Sequence, residues 1–413
     1  MSNAKPTILM IGTFDSKGLE FQFLREQLIS LGCDVFSMNV GVFEAECPFP
    51  IDFDANIIAK LGGALIQDLR SANDRGDAMR CMSDGAAKAV AKLYKEGKFD
   101  AAIGMGGSGG TSVISAAFRS LPLGIPKLCV TTVASSDTSP FIGAKDIVLI
   151  PSITDVAGLN RIARRVFAQA AAAVHGMATM SVPTNQDDRP IIVASMFGNT
   201  TECVNLCRDQ LDQFGYEVLV FHAVGSGGRT LETLVADGLV DGCLDITTTE
   251  WADQLCGGIF AAGEERLDAP GKLGVPHLIA PGCIDMVNFG PIETVPKKYR
   301  DADRQLYEWN PSVTLMRTNI DENRQLGEIF AEKAKAAKGP IAFVLPRRGV
   351  SILDGDGGRF CDREADQAMF DTLKANLRKD IPVIEVDANI NDPMFALRAV
   401  DTMLGWMKDR TKP

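Results

Sequence analysis

A glycine-rich stretch at 104–112, GMGGSGGTS, is the segment of this sequence best suited to hold a ligand. It follows a strand-like run at 99–103 and leads into a helix-like run. Glycines let backbone N–H groups approach a ligand, and the amino terminus of a helix adds partial positive charge, so phosphate is the favoured ligand. The competing interpretation is a tight strand-to-helix turn whose glycines need positive φ angles.

Hydroxyl groups and a lysine lie where they could complete such a phosphate site. Ser108, Thr111 and Ser112 can donate hydrogen bonds to phosphate oxygens, and Lys17 begins the first predicted helix. Ligands of open parallel sheets bind at the carboxyl ends of the strands, where these loops gather. The stretch is not a Walker A loop, because no lysine follows its last glycine. Its G-x-G-x-x-G spacing does not lie at the first βα turn, which disfavours a conventional dinucleotide site.

The second half of the chain has threonines where the first half has glycines, and it carries more charged loop residues. A carboxylate paired with an arginine can bind an anionic substrate and move a proton. The candidate catalytic residues are Glu250, Asp285 and Arg347, and the candidate substrate-binding residues are Thr248, Asn288, Arg317 and Arg348. A second glycine loop, GSGGRT at 225–230, is explained equally by an anion site or by a plain helix start.

Other patterns do not reach the spacing that a metal site requires. The three histidines are far apart, and LDGDGGRF at 353–360 lacks the later ligands of a calcium loop. Cys203 and Cys207 share one helix face without a second ligand pair, so buried packing is the better interpretation. No metal site is assigned from the sequence.

The elements that position these loops repeat along the chain. Residues 8–41 and 191–225 both read strand, polar turn, amphipathic helix, glycine stop and strand, with Arg25 matching Arg208 and Gly32 matching Gly215. Later blocks also match, including 148–162 with 315–329, and the first half carries extra residues near 41–82. Strands that alternate with helices predict parallel sheets covered on both faces.

We therefore predict two Rossmann-like α/β domains related by internal duplication, each a mainly parallel sheet with helices on both faces. The first is a nucleotide-binding domain at 1–182 and the second covers 190–413, with the boundary in the polar segment 181–190. Further strands are predicted at 341–346 and 381–386, and a closing helix at 393–409.

Composition and charge exclude several functional classes. The chain has 413 residues, 46% apolar and 23% charged, with a net charge of −11. This charge argues against general nucleic-acid binding, and no segment has the length of a membrane span. The amino terminus lacks a signal-peptide pattern, so we expect a cytoplasmic protein whose ten cysteines are reduced.

Five motifs together resemble the Tm-1-like ATP-binding proteins. They are IGTFDSKG, GMGGSGGTS, TTVAS, APGCIDMVNFGP and LPRRGVSILD, which are spread over nearly the whole chain. The resemblance implies two Rossmann-like domains, ATP in the first domain and a homodimer. Carried onto this sequence, the implied ATP contacts are Thr13, Asp15, Lys17, Gly106, Gly107, Ser108, Gly109, Gly110 and Thr111, with Thr131 and Ser135 less directly involved.

The same resemblance implies a TIM-barrel-like domain that follows in the plant relative, so a separate polypeptide of that kind is an expected partner here. The leading hypothesis is a protein that binds ATP on the 104–112 loop and a second anionic ligand in the cleft between domains. One alternative is phosphoryl transfer or hydrolysis, with Mg²⁺ on Asp15 and Glu250 or Asp285 as base. A second alternative is a small-molecule enzyme centred on the second domain, a phosphotransferase, hydrolase or lyase on a carboxylate substrate, with ATP as cosubstrate or effector. A third is a nucleotide-gated partner-binding module without turnover.

Overall fold

The computed structural model describes residues 5–181 and 188–410. The chain folds as two compact units, Met1–Thr184 and Asn185–Pro413. Most of the predicted boundary segment, at 182–187, lies outside the described residues. The two units are described separately below.

The first unit contains a five-stranded sheet in which every pair of neighbouring strands is parallel, in the order β2-β1-β3-β4-β5. Its strands are β1 (Thr7–Gly12), β2 (Asp34–Asn39), β3 (Ala101–Gly106), β4 (Lys127–Thr131) and β5 (Val148–Pro151). Its helices are α1 (Gly18–Ser30), α2 (Ala55–Leu61), α3 (Ile66–Ala72), α4 (Arg75–Lys95), α5 (Ser108–Arg119), α6 (Ser139–Ile142) and α7 (Arg161–Thr179).

The second unit contains a six-stranded parallel sheet and a three-stranded antiparallel sheet. Its strands are β6 (Ile191–Met196), β7 (Glu217–His222), β8 (Gly242–Thr247), β9 (His277–Gly282), β10 (Met286–Phe289), β11 (Leu306–Asn310), β12 (Val313–Arg317), β13 (Ile341–Pro346) and β14 (Val383–Val386). Its helices are α8 (Thr201–Gln213), α9 (Ser226–Ala236), α10 (Thr249–Cys256), α11 (Ala269–Leu273), α12 (Lys297–Arg300), α13 (Ile320–Lys335), α14 (Arg363–Asn376) and α15 (Pro393–Arg410).

The two parallel sheets share one topology over four strands, which confirms the predicted pair of Rossmann-like α/β folds. The order β2-β1-β3-β4 in the first unit corresponds to β7-β6-β8-β9 in the second, whose parallel sheet continues through β13 and β14. The units differ between their second and third strands. Three helices, α2 to α4, connect β2 to β3, whereas α9 alone connects β7 to β8.

Burial on both faces of the first sheet explains why its strands are continuously apolar. Leu9 and Ile11 pack on one face with α2, α4 and α5, and Ile8 and Met10 pack on the other with α1 and α7. A strand covered on both sides needs apolar residues at every position rather than at alternate ones. This arrangement brings α4 and α5 side by side on one face of the sheet.

Two expectations from the sequence concern the cysteines and the absence of a membrane-spanning segment. Each of the ten cysteines is a free thiol. Among the helices of residues 5–181 and 188–410, none combines the length and apolar character that crossing a bilayer requires.

Candidate functional site

A cavity of about 620 Å³ opens at the carboxyl edge of the first sheet. It is lined by the segments that follow β1, β2 and β3, together with the end of α3 and the first turns of α4. The lining segments fall within 13–17, 40–43, 69–82 and 107–113. This is the position at which open parallel sheets bind their ligands.

The structure brings most of the predicted cofactor residues to this cavity. Those on its wall are Thr13, Asp15, Lys17, Gly107, Ser108, Gly109 and Gly110. Thr111 and Thr131 are instead buried, and their hydroxyl oxygens lie 2.6 Å apart in a hydrogen bond that ties α5 to β4. Gly106 ends β3, and its carbonyl accepts a hydrogen bond from the Thr111 hydroxyl at 3.4 Å. Ser135 is exposed on the loop after β4.

The glycines of this loop are not explained by an unusual backbone conformation. None of the five glycines between 104 and 110 has a positive φ angle. A Cβ at Gly104 would lie 2.7 Å from Ile114 Cγ2, and one at Gly106 would lie 3.0 Å from Gly110 Cα, so close packing explains these two. At Gly107 and Gly110 the nearest atom to a Cβ would be 3.9 Å away. Packing therefore permits a side chain at both positions, and both residues line the cavity.

Helix α5 begins at the cavity wall without a capping side chain. Gly107 occupies the position before the helix and Ser108 is its first residue. The first N–H groups of an α-helix have no intrahelical acceptor. Because no described side chain accepts from them, these amides are available to an acceptor in the cavity.

The loops after β1 and β2 are fastened to each other beside these amides. The Asn39 amide oxygen accepts from the backbone N–H of Phe14 at 3.1 Å and of Gly41 at 2.9 Å. Asp15 Oδ2 accepts from the Phe43 N–H at 3.0 Å. A Cβ at Gly41 would lie 2.5 Å from the Asp15 carboxyl carbon, so glycine lets the carboxylate fit there.

The α3–α4 segment adds two cations that the sequence analysis missed. Arg70 Nε donates to the Val42 carbonyl at 2.6 Å, and Arg75 begins α4. Both side chains line the cavity with Lys17, whose ammonium donates to the Val156 carbonyl. No motif marks these arginines. The only available signal was that they lie in the extra residues near 41–82.

The glycine loop of the second unit is occupied by a carboxylate of the protein itself. Glu250 Oε1 accepts from the Gly225 N–H at 2.8 Å and from the Gly228 N–H at 3.1 Å. Glu250 Oε2 accepts from Arg266 Nε at 2.7 Å, and Glu250 is 1% exposed. The sequence allowed either an anion site or a plain helix start for this loop. The structure shows both features, because the loop begins a helix and its amides bind the carboxylate of Glu250.

Arg266 joins Glu250 to a larger buried ion-pair network. Its guanidinium contacts Asp245 and lies 3.2 Å from Glu232 Oε1, and His277 Nε2 lies 2.8 Å from Asp245 Oδ2. Burial alone raises the pKa of Asp245, but Arg266 and His277 outweigh it and hold this pKa well below its usual range. Burial raises the pKa of Glu232. We interpret this network as a structural element of the second unit.

Asp285 and Arg317 belong to a second buried group. Asp285 Oδ2 accepts from the Ser351 hydroxyl at 2.8 Å, and burial raises the pKa of Asp285 to about 6. Arg317 Nη2 donates to Asp366 Oδ1 at 2.7 Å and to Asp354 Oδ1 at 3.3 Å. Among the described residues, no hydrogen bond or ion pair links Asp285 to Glu250, so the two candidate bases are not brought together.

The remaining candidates of the second unit also have partners within the protein. The Thr248 hydroxyl donates to the Ala280 carbonyl at 3.0 Å, and Asn288 Nδ2 donates to Asp253 Oδ1 at 3.1 Å. Both Thr248 and Asn288 are fully buried.

Two arginines follow β13 on the surface. Arg348 makes hydrogen bonds of 2.9 and 3.1 Å to the Asp387 carboxylate, and Arg347 Nε lies 3.7 Å from Glu385 Oε2. Neither arginine contacts the buried candidates in the described structure.

Both units match the two domains of one protein family. Residues 6–183 match the N-terminal domain of the uncharacterised protein family UPF0261, and residues 189–407 match its C-terminal domain. The chain belongs to the UPF0261 family. The predicted resemblance to Tm-1-like proteins is thereby confirmed, since tomato Tm-1 proteins are among its relatives.

Relatives within the UPF0261 family cover almost the entire chain. A UPF0261 protein of Clostridium tetani is 43% identical over 402 residues, which is 97% of this chain and 99% of the relative. A UPF0261 protein of Mesorhizobium japonicum is 42% identical over 94% of this chain and 96% of the relative. The ToMV resistance protein Tm-1(GCR237) of Solanum lycopersicum is 37% identical over 97% of this chain, but the match spans only 55% of that protein.

Proposed function

We propose that the first unit binds ATP in the cavity at its sheet edge, with the phosphates against the glycine loop. The observation that carries this proposal is that Gly107 and Gly110 have room for a Cβ and ordinary backbone angles. Their lack of side chains leaves the amides at the start of α5 accessible from the cavity. Such amides and the adjoining helix dipole favour phosphate.

The charges on the cavity wall support an anionic ligand. Lys17, Arg70 and Arg75 line it, against the two carboxylates Asp15 and Asp74. Arginine donates from a fixed fork that matches phosphate oxygens, and lysine supplies a compact charge. The cations exceed the acids although the chain as a whole is strongly acidic.

The rest of the wall suits the base of a nucleotide. Val42, Leu69 and Met82 supply apolar surface, and Phe43, which is 63% exposed, also lines the cavity. Aromatic rings stack on nucleobases whatever the base identity. A volume of about 620 Å³ also falls within the usual range for small-molecule sites.

Asp15 is the cavity residue suited to a magnesium ion that accompanies the nucleotide. Its Oδ2 accepts from Phe43, and no described residue donates to Oδ1. Magnesium bound to nucleotides often takes only one or two protein carboxylates, with phosphates and water as the other ligands. The bound ion would supply charge neutralisation of the phosphates.

This proposal concerns binding and assigns no reaction. The candidate bases Glu250 and Asp285 accept hydrogen bonds inside the second unit, which favours a binding function over catalysis by these carboxylates. A cytoplasmic location, a homodimer, a second anionic ligand and a separate TIM-barrel-like partner stay predictions.

Calorimetric titration with ATP and Mg²⁺ tests the proposal, using the Gly107→Val variant. A valine there meets no atom closer than 3.9 Å at its Cβ, so we expect a folded protein that no longer binds ATP. Gly176→Val is the matched control, because Gly176 lies in α7 with no neighbouring atom within 4 Å of a Cβ. Wild-type protein that binds no ATP, or Gly107→Val protein that binds it normally, would refute the proposal. A phosphate-release assay then determines whether bound ATP is hydrolysed.

A further inference from the structure

A thiol, a carboxylate and an imidazole meet on one face of the second unit's parallel sheet. Cys243 and Asp245 are alternate residues of β8, so their side chains leave the same face, and His277 is the register partner of Cys243 on β9. Asp245 Oδ2 lies 3.4 Å from Cys243 Sγ and 2.8 Å from His277 Nε2. No spacing along the sequence marks this set, because the register of two strands brings its third member into place.

The mutual distances of these three groups suit a single metal ion. One ligand atom of each residue lies within 4.8 Å of the other two. Zinc binds thiolate sulfur at about 2.3 Å and imidazole nitrogen or carboxylate oxygen at about 2.0–2.2 Å, so the ligand atoms around one tetrahedral zinc lie roughly 3–4 Å apart. Small shifts of the three side chains would therefore admit an ion between them.

The chemistry of the set favours zinc over the common hard cations. Mg²⁺ and Ca²⁺ take oxygen ligands, whereas a thiol with an imidazole selects zinc or a similar ion. The three residues are at most 1% exposed, and Cys243 packs against Leu231 and Val235 of α9. Structural zinc sites are closed to substrate in this way. An ion held here would fasten β8 to β9.

The buried charges beside the set are unbalanced. Three carboxylates, those of Asp245, Glu250 and Glu232, surround the single guanidinium of Arg266. Within the part of the chain that the structure describes, no other lysine or arginine pairs with these carboxylates. Arg266 contacts Asp245 Oδ1, whereas Oδ2 faces the thiol and the imidazole, so the carboxylate separates the guanidinium from the metal position. Buried charge costs free energy unless it is paired, and a divalent ion at Oδ2 would offset the excess.

We propose that Cys243, Asp245 and His277 form a zinc site that stabilises the second unit, independently of the ATP site of the first. On binding, the thiol proton passes to solvent and Cys243 ligates as the thiolate. Neutral His277 ligates through Nε2 and carries its proton on Nδ1, and Asp245 ligates through Oδ2. One proton is therefore released for each zinc bound, and a water molecule completes the tetrahedral set.

The zinc content of the purified full chain tests the site. After growth with zinc, we expect one zinc per wild-type chain by mass spectrometry and none in Cys243→Ser. Serine keeps a hydroxyl donor toward Asp245, so the variant should fold. Cys207→Ser is the matched control and should keep its zinc, because Cys207 is equally buried, donates to the Ala396 carbonyl at 3.6 Å and lies outside the set.

Refolding with cobalt identifies the ligands. Wild-type chain unfolded in urea with a chelator and refolded with Co²⁺ should show the near-ultraviolet absorption of a cobalt–thiolate bond. Cys243→Ser should lose this absorption and bind Co²⁺ at least about 100-fold more weakly, since loss of a group that only supports a metal ligand already costs about 10- to 100-fold. His277→Gln should bind more weakly and keep the absorption, because the thiolate remains.

Two results would overturn the proposal. One is wild-type protein that carries no zinc as purified and takes up no metal on refolding. The other is metal bound equally by wild type and Cys243→Ser, since the ion then lies elsewhere. If the metal-free chain does not refold, the zinc contents of the purified proteins decide, with His277→Gln compared in the same way should Cys243→Ser not fold.

Discussion

The two units place different groups at equivalent ends of a shared sheet topology. In the first unit, the helix that follows β3 begins with glycines beside a cavity. In the second, the helix that follows β8 carries Glu250, whose carboxylate lies on the amides of Gly225 and Gly228. The first unit leaves the helix-start amides after its third strand open to a cavity, whereas the second unit uses a carboxylate of the corresponding helix to satisfy the helix-start amides after its second strand, β7. Shared topology therefore does not imply a shared site.

The connection after the second strand explains much of this difference. Helices α2 to α4 of the first unit bring Arg70 and Arg75 to the sheet edge, and the corresponding connection of the second unit contains only α9. The second unit instead has Arg266 buried among carboxylates, where it is 1% exposed. Its positive charge is neutralised internally, whereas Arg75 has no described acceptor.

The largest expected effect is a loss of stability when Arg266, which neutralises buried carboxylates of the second unit, is removed. Arg266→Ala leaves the carboxylates of Asp245, Glu250 and Glu232 without their common partner. Removing one member of a buried ion-pair network costs about 3–5 kcal/mol. Hydrogen exchange of the β8 amides should accelerate accordingly, while Arg229→Ala, an exposed residue on α9, leaves it unchanged. Unchanged exchange in Arg266→Ala would show that the network does not stabilise this unit.

The pH dependence of stability sharpens the comparison, because most carboxylates buried in the described part of the chain belong to the second unit. Burial raises the pKa of Asp253 to about 7, although N–H donors from Asn288 and Phe260 oppose the rise. Between about pH 4 and pH 7, the unfolded chain loses a proton at this residue that the folded protein keeps. The contribution of Asp253 to stability is therefore present below about pH 4 and is lost as the pH rises toward 7, by up to about 1.4 kcal/mol per pH unit.

Urea unfolding at pH 5 and pH 7 checks this sign. Asp253→Asn removes the titrating group, so its free energy of unfolding relative to wild type should be higher at pH 7 than at pH 5. Asp401→Asn, at an exposed position of α15, is the control and should show no such difference. A wild-type minus variant difference that is equal at the two pH values would contradict the raised pKa of Asp253.

A smaller effect of opposite sign is expected in the first unit. Gly110→Ala places a methyl group in α5 with no atom nearer than 3.9 Å, so the free energy of unfolding should rise by about 0.5–1 kcal/mol. The same methyl group narrows the cavity, and ATP binding should weaken. Gly176→Ala should stabilise similarly without affecting ATP, as followed by thermal melting and calorimetry. Destabilisation by Gly110→Ala would mean that glycine is needed there for folding.

The smallest effect is expected at the surface arginines of the second unit. The Arg348 side chain is 56% exposed and pairs with an exposed carboxylate, so Arg348→Ala should change neither thermal stability nor ATP affinity measurably. Titration with small organic acids gives the informative result. Binding of such an acid to wild type and its loss in Arg348→Ala would restore a substrate site to the second unit and weaken the contrast between the units.

The repeated sequence pattern predicted the helices and strands well where the two matched segments occupy the same positions in the two parallel sheets. Residues 8–41 and 191–225 fold as β1-α1-β2 and β6-α8-β7, and the predicted strands at 341–346 and 381–386 are β13 and β14. The match of 148–162 with 315–329 did not extend to sheet position. Residues 148–151 form the edge of a parallel sheet, whereas 313–317 form the central strand of the antiparallel sheet. The apolar pattern of a strand does not specify which strands lie beside it, because a parallel and an antiparallel sheet both bury apolar side chains.

The site was predictable in part for the same reason. Residues that directly follow strands, such as Asp15 and Gly107, reach one edge because parallel strands end there. Arg75 could not be predicted, because its position depends on how α3 and α4 pack after a long connection. Glu250 shows the converse, since its place in a charged loop of the second half suggested catalysis while its contacts with Arg266 and the glycine loop are internal.

By itself, the sequence determined the fold class, the duplicated topology and the glycine loop at the edge of the first sheet, because apolar periodicity and chain order dictate them. Tertiary structure alone decided which helix-start amides remain open and which charges are neutralised internally. Those outcomes depend on contacts between residues far apart in the chain, such as Arg75 with the loop at Gly109 and Arg266 with Asp245. Local sequence patterns do not record such contacts.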